Sequence, residues 1–291
     1  MELVDLHVFK TVAESGGITH AAKILHRVPS NVTSRIQKLE QSLDQTLFIR
    51  ENKRLKISPS GEQLLTYANQ ILQLAQEAKD QFLSTRPAGV LRIGCIEMAA
   101  ATRLVEPLMA FHQDYPEVEL IVKSNPTGTL IEKVLSGELD IALVSDPDKD
   151  SRLSIQAVFE EELVLVSDTE HREISHPSDL GTEPTLLGFT PQCMYRRRLT
   201  EWIKQGQAVA KVIEVNSYHA MLSCVTAGMG VGIVPRGVVD IYPYMAGLKV
   251  HTLPPEWRRS TTGLIWRKDS LRPSMEAFTQ TMMGFGNLLK S

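Results

Sequence analysis

Ser30, Asn31, Thr33, Ser34 and Arg35 stand close together, just after Pro29 and just before Lys38. They are short hydrogen-bonding groups with cations beside them. Asn can pair bidentately with adenine, and Ser or Thr can reach bases or phosphates. A helix entering the major groove needs small side chains near its start, because the groove has no room for bulk. Arg35 and Lys38 are candidate phosphate contacts, and Arg50, Lys53 and Arg54 form a second basic group. Residues 1–60 carry nine Lys and Arg against six acids, whereas residues 87–291 carry twenty against twenty-five, within a net charge of −3. That asymmetry predicts a polyanion partner for the N-terminal region.

The elements that must position these groups are legible around them. Leu3, Leu6, Val8, Phe9, Val12 and Ala13 give one helical stripe, stopped by Ser15-Gly16-Gly17. Thr19 is expected to cap a short helix over 20–25 and to lie with the DNA-facing residues. Pro29 suits the first turn of the next helix, which buries Val32, Ile36, Leu39 and Leu43. Two short helices and a polar-faced one make a helix-turn-helix, the alternative being a three-helix surface bundle with a weakly charged face. Residues 47–50 and 55–57 alternate like two short strands, a wing with Arg50, Lys53 and Arg54 at its tip and flank. Ser58 and Pro59 then open a long helix. Its seam of Leu64, Ala68, Ile71, Ala75, Ala78 and Phe82 predicts pairing with a second copy.

From Val90 the texture is α/β, with strands expected at 90–95, 118–123, 140–144, 163–167, 185–188, 211–215, 231–234 and 262–266, and a helix from Pro273. No apolar run approaches a membrane span, and no basic-then-apolar export signal is visible at the N-terminus. Three distant cysteines show neither metal spacing nor a disulfide framework, so a cytoplasmic setting is expected, without metal or cofactor. GxSxG, HExxH and P-loop motifs are missing, so no enzyme is predicted. AGMGVG at 227–232 mimics a dinucleotide fingerprint, but it follows a helix and precedes a strand, the reverse of what phosphate binding needs.

The run from Leu3 through VAESGGITHAAKIL, VPSNVTSRIQKLE and LFIRENKRLKISPSG resembles the LysR-type transcriptional regulators, and the likeness continues to the C-terminus. It departs on the exposed face, where Pro29, Ser30 and Asn31 replace the usual Gln, Pro and Ala. The resemblance implies a winged helix-turn-helix at 1–58, a dimerisation helix at 59–84, a hinge at 85–89 and an effector domain at 90–291. That domain would resemble periplasmic binding proteins, with subdomain I at about 90–144 and 264–291 and subdomain II at about 145–263. A cleft between them would lie at strand ends and helix starts. The positions there are Glu97, Met98 and Ala99; Asn125, Thr127 and Gly128; Ser145; Phe189, Cys193, Tyr195 and Arg196; and Ser217, Tyr218 and His219.

Glu97 favours an amine effector over an acid. RVPSN, CMYRR and SYHAM add a likeness to regulators of putrescine utilisation. The partners implied are double-stranded DNA with two-fold related half-sites, a small-molecule effector, further copies of the chain as a dimer or tetramer, and RNA polymerase as a candidate. Two alternatives stand beside this reading: a thiol-based redox regulator acting through Cys193, and a small-molecule binding protein without DNA binding.

Overall fold

The computed structural model describes residues 1–51, 54–83, 87–268 and 270–286. The chain divides into two compact units, Met1–Thr85 with Ser136–Glu138, and Arg86–Leu135 with Leu139–Ser291.

In the first unit α1 (Leu3–Ser15) ends at Gly16, whose φ of +73° suits glycine. α2 (Ile18–Ile24) follows at once, and α3 (Pro29–Leu43) starts on its proline and ends at Asp44. β1 (Phe48–Glu51) and β2 (Arg54–Ile57) form the antiparallel hairpin, with Phe48 opposite Ile57. α4 (Pro59–Leu83) is the long helix. The Ser58 hydroxyl caps it by accepting from Gly61 N at 3.0 Å while donating to Thr46 O at 2.6 Å. Gly61 lies so close to Leu47 that an added Cβ would come within 2.3 Å of its carbonyl oxygen. Leu6, Val8, Phe9, Val12, Ala21, Ala22, Val32, Ile36, Leu39, Leu47 and Ala68 form the buried core. Thr19 does not cap α2. The helix starts two residues earlier, with Gly17 at its cap, because Ile18 packs onto this core.

The second unit opens with β3 (Gly89–Cys95), α5 (Glu97–Thr102), α6 (Val105–Asp114), β4 (Val118–Ser124), α7 (Thr127–Leu135) and β5 (Ile141–Ser145). Then come β6 (Leu153–Asp168), β7 (Thr185–Gly188), α8 (Met194–Gln205), β8 (Lys211–Glu214), α9 (Tyr218–Thr226) and β9 (Val231–Pro235). The unit closes with α10 (Arg236–Asp240), β10 (Leu248–Thr252), α11 (Pro255–Arg258), β11 (Arg259–Arg267) and α12 (Pro273–Phe285). The strand order is β4-β3-β5-β11-β6-β9-β7-β8, with β10 also on β6. β3, β4 and β5 are mutually parallel, as are β9, β7 and β8; β6 and β11 join the two halves antiparallel.

The passage between the halves therefore runs inside the 16-residue β6, around Glu160–Glu162, rather than near Ser145, and returns through β11 with a register break at Thr262/Gly263. Charged residues in mid-strand hid this continuity. Glu161 is buried, but Arg103 donates to both its oxygens at 2.8 and 2.7 Å. Gly228 and Gly230 terminate α9 and lead into β9, so AGMGVG is a helix stop. One core runs through both halves and has Trp266 packed against it; a second, on the α8 side of β6, β7 and β9, holds Trp202 with Trp257 beside it.

Candidate functional site

On α3, Pro29, Ser30, Asn31, Ser34 and Lys38 are exposed, while Val32, Ile36 and Leu39 are buried. Thr33 turns its hydroxyl back to Pro29 O at 3.0 Å. Arg35, expected at phosphate, instead places Nη1 2.7 Å from Oδ1 of Asp5, a carboxylate only 3% exposed. A buried carboxylate needs such a partner. Arg27, which the sequence reading passed over, donates to Asn31 Oδ1 at 3.4 Å from the turn before α3. Lys53 lies outside the described residues, as do the side chains of Arg50 and Arg54.

In the second unit, strand register gathers the loops. Cys95 of β3 stands opposite Ser124 of β4 and Leu143 of β5, so Ile96–Glu97, Asn125–Thr127 and Ser145 share one rim. Gly188 of β7 stands opposite Glu214 of β8, so Phe189–Thr190 and Val215–Asn216 emerge together on the other. A cavity of about 420 Å3 lies between them. Its lining includes eight expected residues: Glu97, Asn125, Thr127, Ser145, Phe189, Cys193, Tyr195 and Tyr218. Glu97 Oε1 accepts from Tyr218 N at 3.0 Å, so a carboxylate after β3 meets the first turn of α9. Burial raises the Glu97 pKa, with the Tyr218 hydrogen bond and nearby His219 pulling the other way. Burial also raises the Cys193 thiol and both tyrosines.

The rims are joined again where Thr129 Oγ1 donates to Gln192 Oε1 at 2.6 Å and Gly128 N to Gln192 O at 3.4 Å. Thr127 and Ser145 bind each other, their hydroxyl oxygens 3.2 Å apart. Phe189 and Tyr218 meet edge to face at 4.9 Å. Below the cleft Asp146 receives Arg198 Nη2 at 2.6 Å, Ser260 Oγ at 3.0 Å and Thr261 N at 2.8 Å, tying β5, α8 and β11 together.

A family model described as the bacterial regulatory helix-turn-helix protein, lysR family, matches residues 3–62, and one described as the LysR substrate binding domain matches residues 84–284. The chain belongs to the LysR family. It is 38% identical over 286 residues to the HTH-type transcriptional regulator YofA of Bacillus velezensis, covering 98% of this chain and 97% of that one. To CzcR of Bacillus subtilis, also named an HTH-type transcriptional regulator, it is 36% identical over 292 residues, covering 99% of both. Full-length OxyR of Pseudomonas aeruginosa shares the fold with a TM-score of 0.75 at 21% identity, covering 97% of this chain and 94% of that one. Full-length CbnR complexed with its target DNA does so at 0.69 and 22%, covering 98% and 100%. This LysR-family chain is thus a DNA-binding transcription regulator with a ligand-binding domain, and not an enzyme.

Six positions expected in the cleft of this LysR-family chain do not line it. Met98 and Ala99 face the core from α5, and Gly128 packs beneath Gln192. Arg196 is committed to Phe189 O at 2.6 Å and Glu214 at 3.0 Å. Ser217 caps α9 by accepting from Ala220 N, and His219 points to solvent. Ile96, Ser124, Pro126, Thr190, Val215 and Asn216 line the cavity in addition. Most of these sit in the loops already singled out. Val215, an apolar residue just after β8, carries no signal of its own in the sequence.

Ser167, His251 and Glu173 have the composition of a nucleophilic triad, with Ser167 Oγ 2.8 Å from His251 Nε2 and Glu173 3.5 Å from Nδ1. The hydrogen bonds run the wrong way for that chemistry. Ser167 is fully buried and donates to Asp168 O, while His251 Nδ1 accepts from Ile174 N at 3.1 Å. The group staples β10 to the chain after β6.

Proposed function

We propose that this regulator works as a homo-oligomer in the cytoplasm, reads two-fold related half-sites through α3, and is gated by a small amine held in the cleft, the class to which putrescine belongs. Ser30, Asn31 and Ser34 supply base contacts, with Lys38 and the wing residues Arg50, Lys53 and Arg54 on phosphate. The observation that carries the amine reading is Glu97, a carboxylate on the cleft wall spanning from β3 to α9. A ligand that engages it changes how the two rims meet, and that biases the dimer between DNA-bound geometries. RNA polymerase is the partner through which such a change would reach transcription.

One observation supports self-association through α4. Tyr67 and Leu74, seven residues apart, expose 55% and 63% of their surface. Leu64, Ala68 and Ile71 of the expected seam pack instead into their own domain's core. The redox alternative loses support, because burial raises the Cys193 pKa and so depletes its thiolate. The reading is tested by selecting a binding site from random duplexes and following its anisotropy with full-length protein. Putrescine or a related amine should shift the midpoint, and short carboxylates should not. A shift by carboxylates alone overturns the amine reading.

A further inference from the structure

The cleft wall narrows the ligand class further, on the basis of the amine reading above. Glu97 carries the only carboxyl group of the lining, and burial pushes the other ionisable groups there, Cys193, Tyr195 and Tyr218, up from their ordinary values. One of its oxygens is held by Tyr218 N at 3.0 Å; the other accepts no hydrogen bond from the described residues. No Lys, Arg or His lines the cavity among the described residues, and the nearby guanidinium of Arg196 is spent on Phe189 O and Glu214. The site thus offers one anionic anchor and no second one.

The remaining walls are largely apolar, from Ile96, Phe189, Val215 and Tyr218. A cavity of about 420 Å3 is large for a four-carbon diamine, and it would leave those walls in water. The far ammonium of such a diamine would have to lose its hydration without meeting a carboxylate, which is unfavourable. Oγ1 of Thr190 and the Tyr195 hydroxyl, buried and without a well-formed hydrogen bond, can still serve a polar substituent.

We propose that the cleft takes a monocationic amine with an apolar body about the size of an arylalkyl group. Its ammonium sits on the free oxygen of Glu97 and its body against the Phe189–Tyr218 pair.

The test is calorimetric titration of the full-length protein with phenethylamine, 2-phenylethanol, putrescine and 3-phenylpropionate. Phenethylamine should bind at least about tenfold more tightly than each of the others, the scale of a hydrogen bond to a charged group. Glu97→Gln keeps an oxygen for Tyr218 N. It should bring phenethylamine down to the affinity of 2-phenylethanol, with a melting curve confirming that the protein folds. If that variant does not fold, Phe189→Leu serves: it should weaken phenethylamine and leave putrescine unchanged. Equal or tighter binding of putrescine overturns the monocation and leaves the amine reading standing. Tighter binding of 3-phenylpropionate, or no binding by either amine, overturns both.

Discussion

Asn31 differs from a free recognition asparagine, because Arg27 already donates to its Oδ1. Its amide hydrogens meet no acceptor among the described residues, so it is better placed to donate to acceptors on a base edge than to pair bidentately with adenine. Asn31→Ala should cost about 1–3 kcal/mol at one base position, whereas Lys38→Ala should weaken all sequences alike and lower the salt slope by about 1. Binding of both variants to a selected site and its single-base changes checks this. Arg35 acts inside the domain. Arg35→Ala leaves Asp5 buried without its cation and should lower stability by about 2 kcal/mol, below the ~3–5 kcal/mol of a fully buried pair because Arg35 is 30% exposed. Urea denaturation reads that loss. His251 adds a pH dependence. Burial lowers its pKa below the ordinary value near 6.5, so the unfolded chain binds more protons than the folded one as pH falls. Stability should be full above about pH 6.5 and decline below it, toward the lower folded pKa. His251→Gln should flatten that slope in melting curves taken between about pH 7.5 and about 5.5, either side of the ordinary histidine value.

At the scale of elements, the start of α4 is set by one close approach. Gly61→Ala would drive a methyl into the Leu47 carbonyl and the Ile57 side chain, so its melting point should fall although alanine is the better helix former. A melting point at or above that of the unaltered protein would refute the constraint. The same elements show what the sequence could reveal. The amphipathic spacing of α1 and α3, the proline starts of α3 and α4, and the hairpin at 48–57 follow from local physics. β10 and the first half of β6 were not foreseen. Their burial alternates irregularly, and Glu160, Glu161 and Glu162 pair with distant Arg259, Arg103 and Arg236. In the cleft, loops at strand ends could be identified in advance. Which side chain of a loop turns inward could not, because Met98, Arg196 and Ser217 are each claimed by partners far along the chain or by a helix cap.

For the whole molecule, oligomerisation is the property that a single copy displays only as an unburied stripe. Leu74→Glu places charge in that stripe on α4 and should shift sedimentation toward the monomer, with the advantage of a paired site over a half-site lost. An unchanged mass would remove this face from the interface. The placement of the three tryptophans has an optical consequence. Trp202, Trp257 and Trp266 all pack around the cores of the second unit, and residues 1–85 contain none. Tryptophan emission of the intact regulator therefore reports on the ligand-binding unit alone. Excited at the red edge, where Tyr67 of the DNA-reading unit does not absorb, it lets effector titrations be followed with operator present and without any attached dye.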